Sequence, residues 1–396
     1  MNNPIKVSIV LPSLNVRPYI EECVESAINQ TLKEIEIICV DAGSTDGTLE
    51  ILKDYEKKDK RVKVIISDVK SYGHQVNLGF DAAVGEYMAI LETDDCVKPD
   101  MYEVLYNIAK KTDTDIIKTD FESFVNTEKG REYSYFAQFN DKSQYNKVFT
   151  PIYNPDSFSS NPSTWSSIYK YSFLKENNIR HNETPGASYQ DTSFWFLTLA
   201  MAKKVCYLDK AFYMLRRDRE ESSVFNSGKV NAVFEEYDYV NKKLPDEIKN
   251  DENFKKIYWK KKLDHFIFHY NRISDAQKIF FLCRMSENFK NSYEKNEINV
   301  SIINETRKKD LDDIINRPGE FYIRFNNPYT QQIKKEKEEL KKELQNIKKE
   351  NEMIKRQHNC LINSFSYKIG RKITFIPKKL YDVIKCLIKN GFKYYN

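Results

Sequence analysis

Over roughly the first 120 residues, short continuous apolar runs alternate with stretches whose apolar residues recur every three to four positions. Lys6–Ser13, Ile35–Ser44, Val62–Ser67, Glu86–Asp95 and Asp115–Phe121 carry the runs and predict strands. Arg17–Gln30, Thr45–Asp59, Gly73–Gly85 and Pro99–Lys111 carry the helical spacing. A strand that is apolar along its whole length has both faces covered. The pattern therefore predicts an α/β fold, a mostly parallel sheet with helices on both faces.

The predicted strands end on polar residues: PSLN (Pro12 to Asn15) after the first, DAGSTDG (Asp41 to Gly47) after the second and ETDD (Glu92 to Asp95) after the fourth. In a parallel sheet these ends share one edge, and such sheets bind ligands outside that edge. Glu92, Asp94 and Asp95 crowd three carboxylates at the last of them, where like charges repel unless a cation, a donor or water compensates. The plainer reading is a polar loop with a capping Asp ahead of the helix that starts near Pro99. The other two polar ends at the same edge favour a site.

Residues 1–228 form one predicted domain, and Thr192–Lys204 adds a further helix within it. Residues 229–328 turn to Lys, Glu, Tyr and Phe at helical spacing and predict a helical accessory domain in which no chemistry is visible. Residues 329–362 lack Gly and Pro, and Ile333, Leu340, Ile347, Ile354 and Leu361 recur every seven positions beside a seam of Lys337, Leu344, Asn351 and His358. That spacing predicts a coiled coil joining a homodimer, with a lone solvated helix as the alternative. The tail, 363–396, interleaves Lys368, Arg371, Lys372, Lys378, Lys379, Lys385, Lys389 and Lys393 with apolar residues against the single acid Asp382. It predicts an amphipathic segment on an anionic membrane surface.

Composition narrows the class. An apolar share of 40% suffices for a sizeable core, and a net charge of +5 is small beside 63 basic and 58 acidic residues, which argues against a nucleic-acid partner. The seven cysteines are scattered without a CxxC pair and read as reduced thiols. The first residues lack a signal-peptide apolar core, and no apolar run reaches the roughly 18 residues of a membrane span. The expected location is cytoplasmic, peripheral on the inner face of the plasma membrane.

In order and spacing, three segments resemble the family 2 glycosyltransferases, which have the GT-A nucleotide-sugar-binding fold. They are SIVLPSLNVRPYIEECVESAINQTLKEIEIICVDAGSTDGT, NLGFDAAVGEYMAILETDD and YQDTSFW, and the likeness covers the chain from about Lys6 to Arg219. It implies an inverting enzyme that moves a sugar from a nucleotide diphosphate, a UDP-sugar first, to a hydroxyl of a growing bacterial surface glycan such as a capsule or lipooligosaccharide. A lipid-linked acceptor suits the basic tail.

The chemistry of such an enzyme explains the residue types. The departing nucleotide diphosphate gains negative charge, which a hard divalent cation neutralises; Mg²⁺ or Mn²⁺ fits an all-oxygen site. The resemblance assigns that metal to Asp94 and places Glu92, where the family has Asp, toward the ribose. It places further donor contacts at Pro12, Ser13, Asn15, Asp41, Gly43, Ser44, Gly73, Asn77 and Thr93, with the Asp41 carboxylate accepting the N3 proton of uracil. Ala42 stands where a second Asp is frequent and Val76 where an Arg is common. Arg216 and Arg217, in YMLRRDREESSV, are expected to compensate by closing over the diphosphate. Asp191 of YQDTSFW is the expected general base, with Gln190 where the family has Glu, and a role as helix N-cap is compatible with it.

Other residues take quieter readings. His265 and His269 lie four apart but have no third metal ligand nearby in sequence. His74 suits hydrogen bonding, Asp95 suits a structural cap, and Trp165 suits either sugar stacking or core packing. A nucleotidyltransferase with the same acidic metal site, and a non-catalytic membrane tether carrying a decayed domain, are the alternative functions.

Overall fold

The computed structural model describes residues 4–187, 189–218 and 230–327, with helical residues 332, 336, 339–348 and 350–356 beyond them. The chain divides into two units, Met1–Phe321 and Tyr322–Asn396. The strands of the first are β1 (Val7–Ser13), β2 (Ile35–Asp41), β3 (Val62–Ile66), β4 (Tyr87–Ile90), β5 (Cys96–Val97), β6 (Ile116–Thr127), β7 (Gly130–Phe136), β8 (Val148–Phe149), β9 (Ser167–Lys170) and β10 (Val205–Arg216). They join one sheet in the order β3-β2-β1-β4-β9-β6-β10-β5, with β7 added on β6 and β8 on β10. The β3-β2-β1-β4 half is parallel throughout, as predicted, and β6 pairs parallel with β10. β9 enters antiparallel between β4 and β6.

β1 and β2 are buried at every position, the signature of a sheet covered on both faces. α1 (Arg17–Ile28) starts on Pro18 near its N-terminus and buries Ile20, Cys23, Val24 and Ala27, a stripe at helical spacing. α2 (Thr48–Lys58) follows β2, and α4 (Met101–Thr112) turns Met101, Tyr102, Leu105 and Ala109 into the same core. On α3 (Tyr72–Ala82) a side chain at Gly79 would come within 2.3 Å of Val10, so glycine there lets the helix lie directly on β1. After α5 (Tyr171–Glu176), α6 (Gln190–Met201) is buried at every position from Thr192 to Met201.

A helix apolar all round needs a partner on its far side. That partner is the helical region: α7 (Ala232–Lys243) packs on α6, followed by α8 (Asp246–Asn250), α9 (Glu252–Tyr270), α10 (Asp275–Glu294), α11 (Glu305–Asn316) and α12 (Pro318–Asn326). Phe254, Phe266, Phe281, Met285 and Phe289 form its core. In the second unit, described residues 339–348 and 350–356 are helical, with Leu340, Leu344, Ile347 and Ile354 exposed. Heptad residues Ile333, Lys337, His358 and Leu361 and the basic tail lie outside the described residues. Among the described residues no helix is long and apolar enough to cross a membrane.

Candidate active site

The ends of β1 and β2 are in register, Ser13 opposite Asp41, and side chains stitch them together. Asp41 is wholly buried, and its carboxylate accepts from the Gly43 and Ser44 amides (3.0 and 2.8 Å) and from the hydroxyls of Ser44 (2.5 Å) and Ser13 (3.4 Å). Gly43 takes φ 80°, the left-handed backbone that glycine adopts without strain. Asn15, itself at φ 52°, donates its amide to Ser44 Oγ and accepts from the Thr45 amide, both at 2.9 Å. Gln75 of α3 donates to the Ser13 and Val40 carbonyls at 2.8 and 2.7 Å. Asp41 thus organises its own loop, which differs from the expectation that it offers an open acceptor to uracil: a base N–H would have to displace one of these donors.

The acidic turn is tied to the same edge. Thr93 is buried and donates from Oγ1 to the Pro12 carbonyl at 2.9 Å. Asp95 is also buried and accepts from the Tyr213 hydroxyl and the Arg216 amide, each at 2.7 Å. Burial, and then the charge of Asp94, push its carboxyl well above the usual range. Glu92 accepts from the Tyr72 hydroxyl at 2.6 Å.

Arg216 corrects an expectation. Its guanidinium is buried, pairs with Glu22 at 2.6 Å and Asp218 at 3.5 Å, and donates from Nε to the Asp94 carbonyl at 2.8 Å. It also stacks over Tyr19 and Phe124, at 4.9 and 4.7 Å from their ring centroids. A cation so committed braces the acidic turn from within and is not poised to close over a diphosphate. Arg217 is the exposed member of the pair.

Among the described residues, no three His, Cys, Asp or Glu side chains converge as a metal cage. The donor set still fits a hard cation of the Mg²⁺ type, which keeps several waters and takes one or two carboxylates plus substrate phosphates. Asp94 is half-buried on a turn whose backbone carbonyl Arg216 fixes.

Asp191 opens α6. Gln190, in place of an acid, donates from Nε2 to Thr184 Oγ1 (2.9 Å) and to the Thr184 and Gly186 carbonyls (3.1 Å each), pinning the loop ahead of the helix. Asp191 is half-buried, and its carboxylate is met at its own helix start by the Thr192 hydroxyl at a long 3.5 Å and by the backbone N–H groups of Thr192 and of Asp191 itself. Burial raises its pKa to about 6, opposed by Thr192 and by the charge of Lys118. Lys118, on β6, is 2% exposed; it donates to Ser163, through the carbonyl and at 2.9 Å to Oγ, and to Ser166 Oγ at 3.3 Å. Burial lowers it to about 7 against the pull of Asp191. The buried Tyr72 hydroxyl is pushed up by burial, then by Glu92, to which it donates, and further by Asp191. One tyrosine therefore lies within electrostatic reach of both the acidic turn and Asp191.

The remaining candidates scatter. Asn77 is spent on the chain opposite: its amide donates to the His181 carbonyl (3.0 Å) and Glu183 (2.8 Å), and its oxygen accepts from the His181 amide (3.0 Å). Gly73 permits that approach, since a Cβ there would stand 1.9 Å from the Asn182 carbonyl oxygen. His74 contacts Glu183 at 2.9 Å. Trp165 packs, stacked on Tyr213 at 4.2 Å and edge-on to Phe121 at 4.8 Å. His265 and His269 do not converge: one meets the Tyr237 hydroxyl (2.9 Å) and the other that of Tyr189 (3.0 Å). Sequence reasoning passes over Tyr72, Gln75 and Lys118. A lysine among the apolar residues of IIKTDF, and a tyrosine opening a glycine-containing helix, are the signals that point to two of them.

Comparison with known proteins follows the same division. Residues 8–182 match the model of glycosyl transferase family 2, which is what this part of the chain is similar to. The uncharacterized glycosyltransferase EpsJ of Bacillus subtilis is 29% identical over 225 residues, covering 54% of this chain and 61% of EpsJ. The poly(ribitol-phosphate) beta-glucosyltransferase of Bacillus spizizenii is 32% identical over 56% of this chain and 34% of its own length. The chain thus spans less than two thirds of these relatives. Among solved structures, S. aureus TarS 1-349 in complex with UDP-GlcNAc superposes with a TM-score of 0.64 over 82% of this chain and 92% of that one, at 19% identity, a likeness of fold.

Proposed function

We propose that this chain is an inverting, metal-dependent glycosyltransferase that uses a nucleotide diphosphate sugar, with UDP as the nucleotide, and Asp191 as general base. The observation that carries the reading is the state of Asp191: a desolvated carboxylate at a helix start, met by donors of its own turn, with Tyr72 within electrostatic reach of both it and the acidic turn. A group of that kind holds a proton more tightly than a solvated Asp, and a pKa near the working pH suits general-base catalysis.

In this reading the acceptor hydroxyl loses its proton to Asp191 Oδ as its oxygen bonds to the anomeric carbon, while the bond from that carbon to the β-phosphate oxygen breaks and the nucleoside diphosphate leaves. Asp94 would hold a divalent cation, which when bound would supply charge neutralisation to the leaving diphosphate. Glu92, oriented by Tyr72, faces the donor sugar or ribose, and the Pro12–Asn15 and Gly43–Ser44 loops, stitched by Asn15, shape the nucleotide end. The exposed Arg217 is the residue proposed to meet the diphosphate. The UDP-GlcNAc held by the TarS neighbour supports the donor class, and the polymer named for the B. spizizenii relative supports a surface-glycan or teichoic-type acceptor. The heptads and the basic tail are proposed to join two chains on an anionic membrane face.

The test is Asp191→Asn. Turnover should fall by about 10²-fold or more with donor affinity, read by calorimetry, near that of the parent. Loss of donor binding with turnover merely following it would move Asp191 into the donor pocket.

A further inference from the structure

We propose that the helical region is a positioning element for the base: His269 of α9, acting through Tyr189, and Glu236 of α7, acting through Asn182, hold the segment that delivers Asp191. The inference rests on Asp191 being the base. Both anchors lie beyond residue 182, outside the part of the chain that matches the family.

Tyr189 stands two residues before Asp191 at φ 62°. A side-chain-bearing residue in that left-handed conformation is strained and persists only where its surroundings over-determine it. His269 provides the determination. Its Nδ1 is 3.0 Å from the Tyr189 hydroxyl, its ring packs edge-on to the tyrosine at 5.1 Å, and its Nε2 is 3.2 Å from the Val230 carbonyl. A carbonyl only accepts, so Nε2 carries the hydrogen and Nδ1 presents a lone pair to the phenol O–H. The imidazole is 3% exposed, and burial lowers its pKa to about 4, so it stays neutral and keeps this tautomer through the neutral range.

The second anchor works on the other end of the segment. Glu236 is 1% exposed and accepts from the Asn182 side-chain amide at 3.0 Å. Asn182 is the residue wedged against Gly73, and the Asn77 clamp grips its neighbours His181 and Glu183. The groups facing Glu236 are Ser193 and Asp191 of α6, Asn182, and Glu235 of its own helix. With no cation among them, burial raises Glu236 to about 8, and it enters the neutral range protonated. Asn182 and Tyr189 are thus each tied to a helix of that region, with Gln190 closing onto Thr184 and Gly186.

His269→Phe keeps the ring and removes the acceptor. The expected result is a fall in kcat of about 10-fold with donor affinity within about 2-fold of the parent, because small displacements of a catalytic group act on turnover. Amide exchange across 184–192 should quicken in the same variant, and Tyr189→Phe should reproduce both effects should His269→Phe fail to fold. Adding Tyr189→Gly to His269→Phe should bring kcat back to within about 3-fold of the parent, since glycine takes the left-handed backbone unaided. Glu236→Gln, which still accepts from Asn182, should stay near the parent rate, and Glu236→Ala should lose about 10-fold. Parent-like turnover and exchange in His269→Phe and Tyr189→Phe, or no rescue by Tyr189→Gly, would overturn the inference. If the parent protein turns over no nucleotide sugar, the transferase reading fails by itself, and the exchange measurements still decide whether His269 holds the segment.

Discussion

The acidic turn after β4 and the start of α6 each bury a carboxylate and treat it in opposite ways. Asp95 receives a phenol O–H and a backbone amide, both at 2.7 Å, and ties β10 to the turn. Among the described residues Asp191 is met only within its own turn, by the Thr192 hydroxyl at 3.5 Å and by the backbone N–H groups of Thr192 and Asp191. Burial raises both, but Asp95 takes two short bonds from a distant strand, whereas the side-chain contact on Asp191 is long and local. A carboxylate that serves the fold is saturated with donors, and one met only within its own turn costs stability and keeps an appetite for a proton. That contrast, more than the sequence motif, separates the structural acid from the proposed base.

The same contrast can be broken by mutation. The largest effect should come from the proposed metal carboxylate: Asp94→Asn, or EDTA on the parent, should lower transfer at least about 100-fold with unchanged unfolding behaviour, because an amide is a poor ligand for a hard cation. A full rate in EDTA would assign the leaving-group charge to side chains such as Arg217.

The next effect concerns stability. Asp95→Ala strands the Tyr213 hydroxyl and the Arg216 amide and should lower the urea-unfolding free energy by about 2 kcal/mol, whereas Asp191→Ala should lower it by well under about 1 kcal/mol or raise it. Equal losses would mean that the two carboxylates are doing the same job.

A smaller effect follows from linkage. The folded Asp191 titrates at about 6, against an ordinary 3.8, so the native state binds its proton more tightly than the unfolded chain. Its contribution is fully present below the unfolded pKa and is lost as pH rises from about 4 to about 6. Asp191→Asn should flatten that portion of the stability curve, and an unchanged slope would show that Asp191 is better solvated than its burial implies.

Much of this is legible in the chain. Continuous apolar runs place β1, β3 and the starts of β2 and β6 within about a residue, and burial on both faces leaves β1 and β2 no polar alternation to confuse. The predicted second strand runs on to Ser44, three residues past the end of β2 at Asp41. β9 is not legible: Ser167–Lys170 is four residues long and owes its existence to partners on β4 and β6. The exposed strand β7 escapes for the opposite reason, since it buries none of its residues and carries no apolar signal. The site divides in the same way. Asp191 is reached through the resemblance of YQDTSFW, since its position ahead of an apolar helix alone suggests only an N-cap, and the Asp41 loop is marked by its Asp-x-Gly-Ser turn chemistry. The role of Arg216 cannot, because its partner Glu22 is 194 residues away. Nor can the anchors on α7 and α9, whose meaning depends on a backbone angle at Tyr189.

The central claim is that Asp191 takes the acceptor proton, and the pH dependence of kcat with saturating donor and acceptor tests it most directly. The parent should lose rate on the acid side with an apparent pKa of about 6, and the residual rate of Asp191→Asn should be flat through that region. An acid limb that survives unchanged in Asp191→Asn, or a parent rate that does not respond to pH between about 5 and 7, would contradict the account.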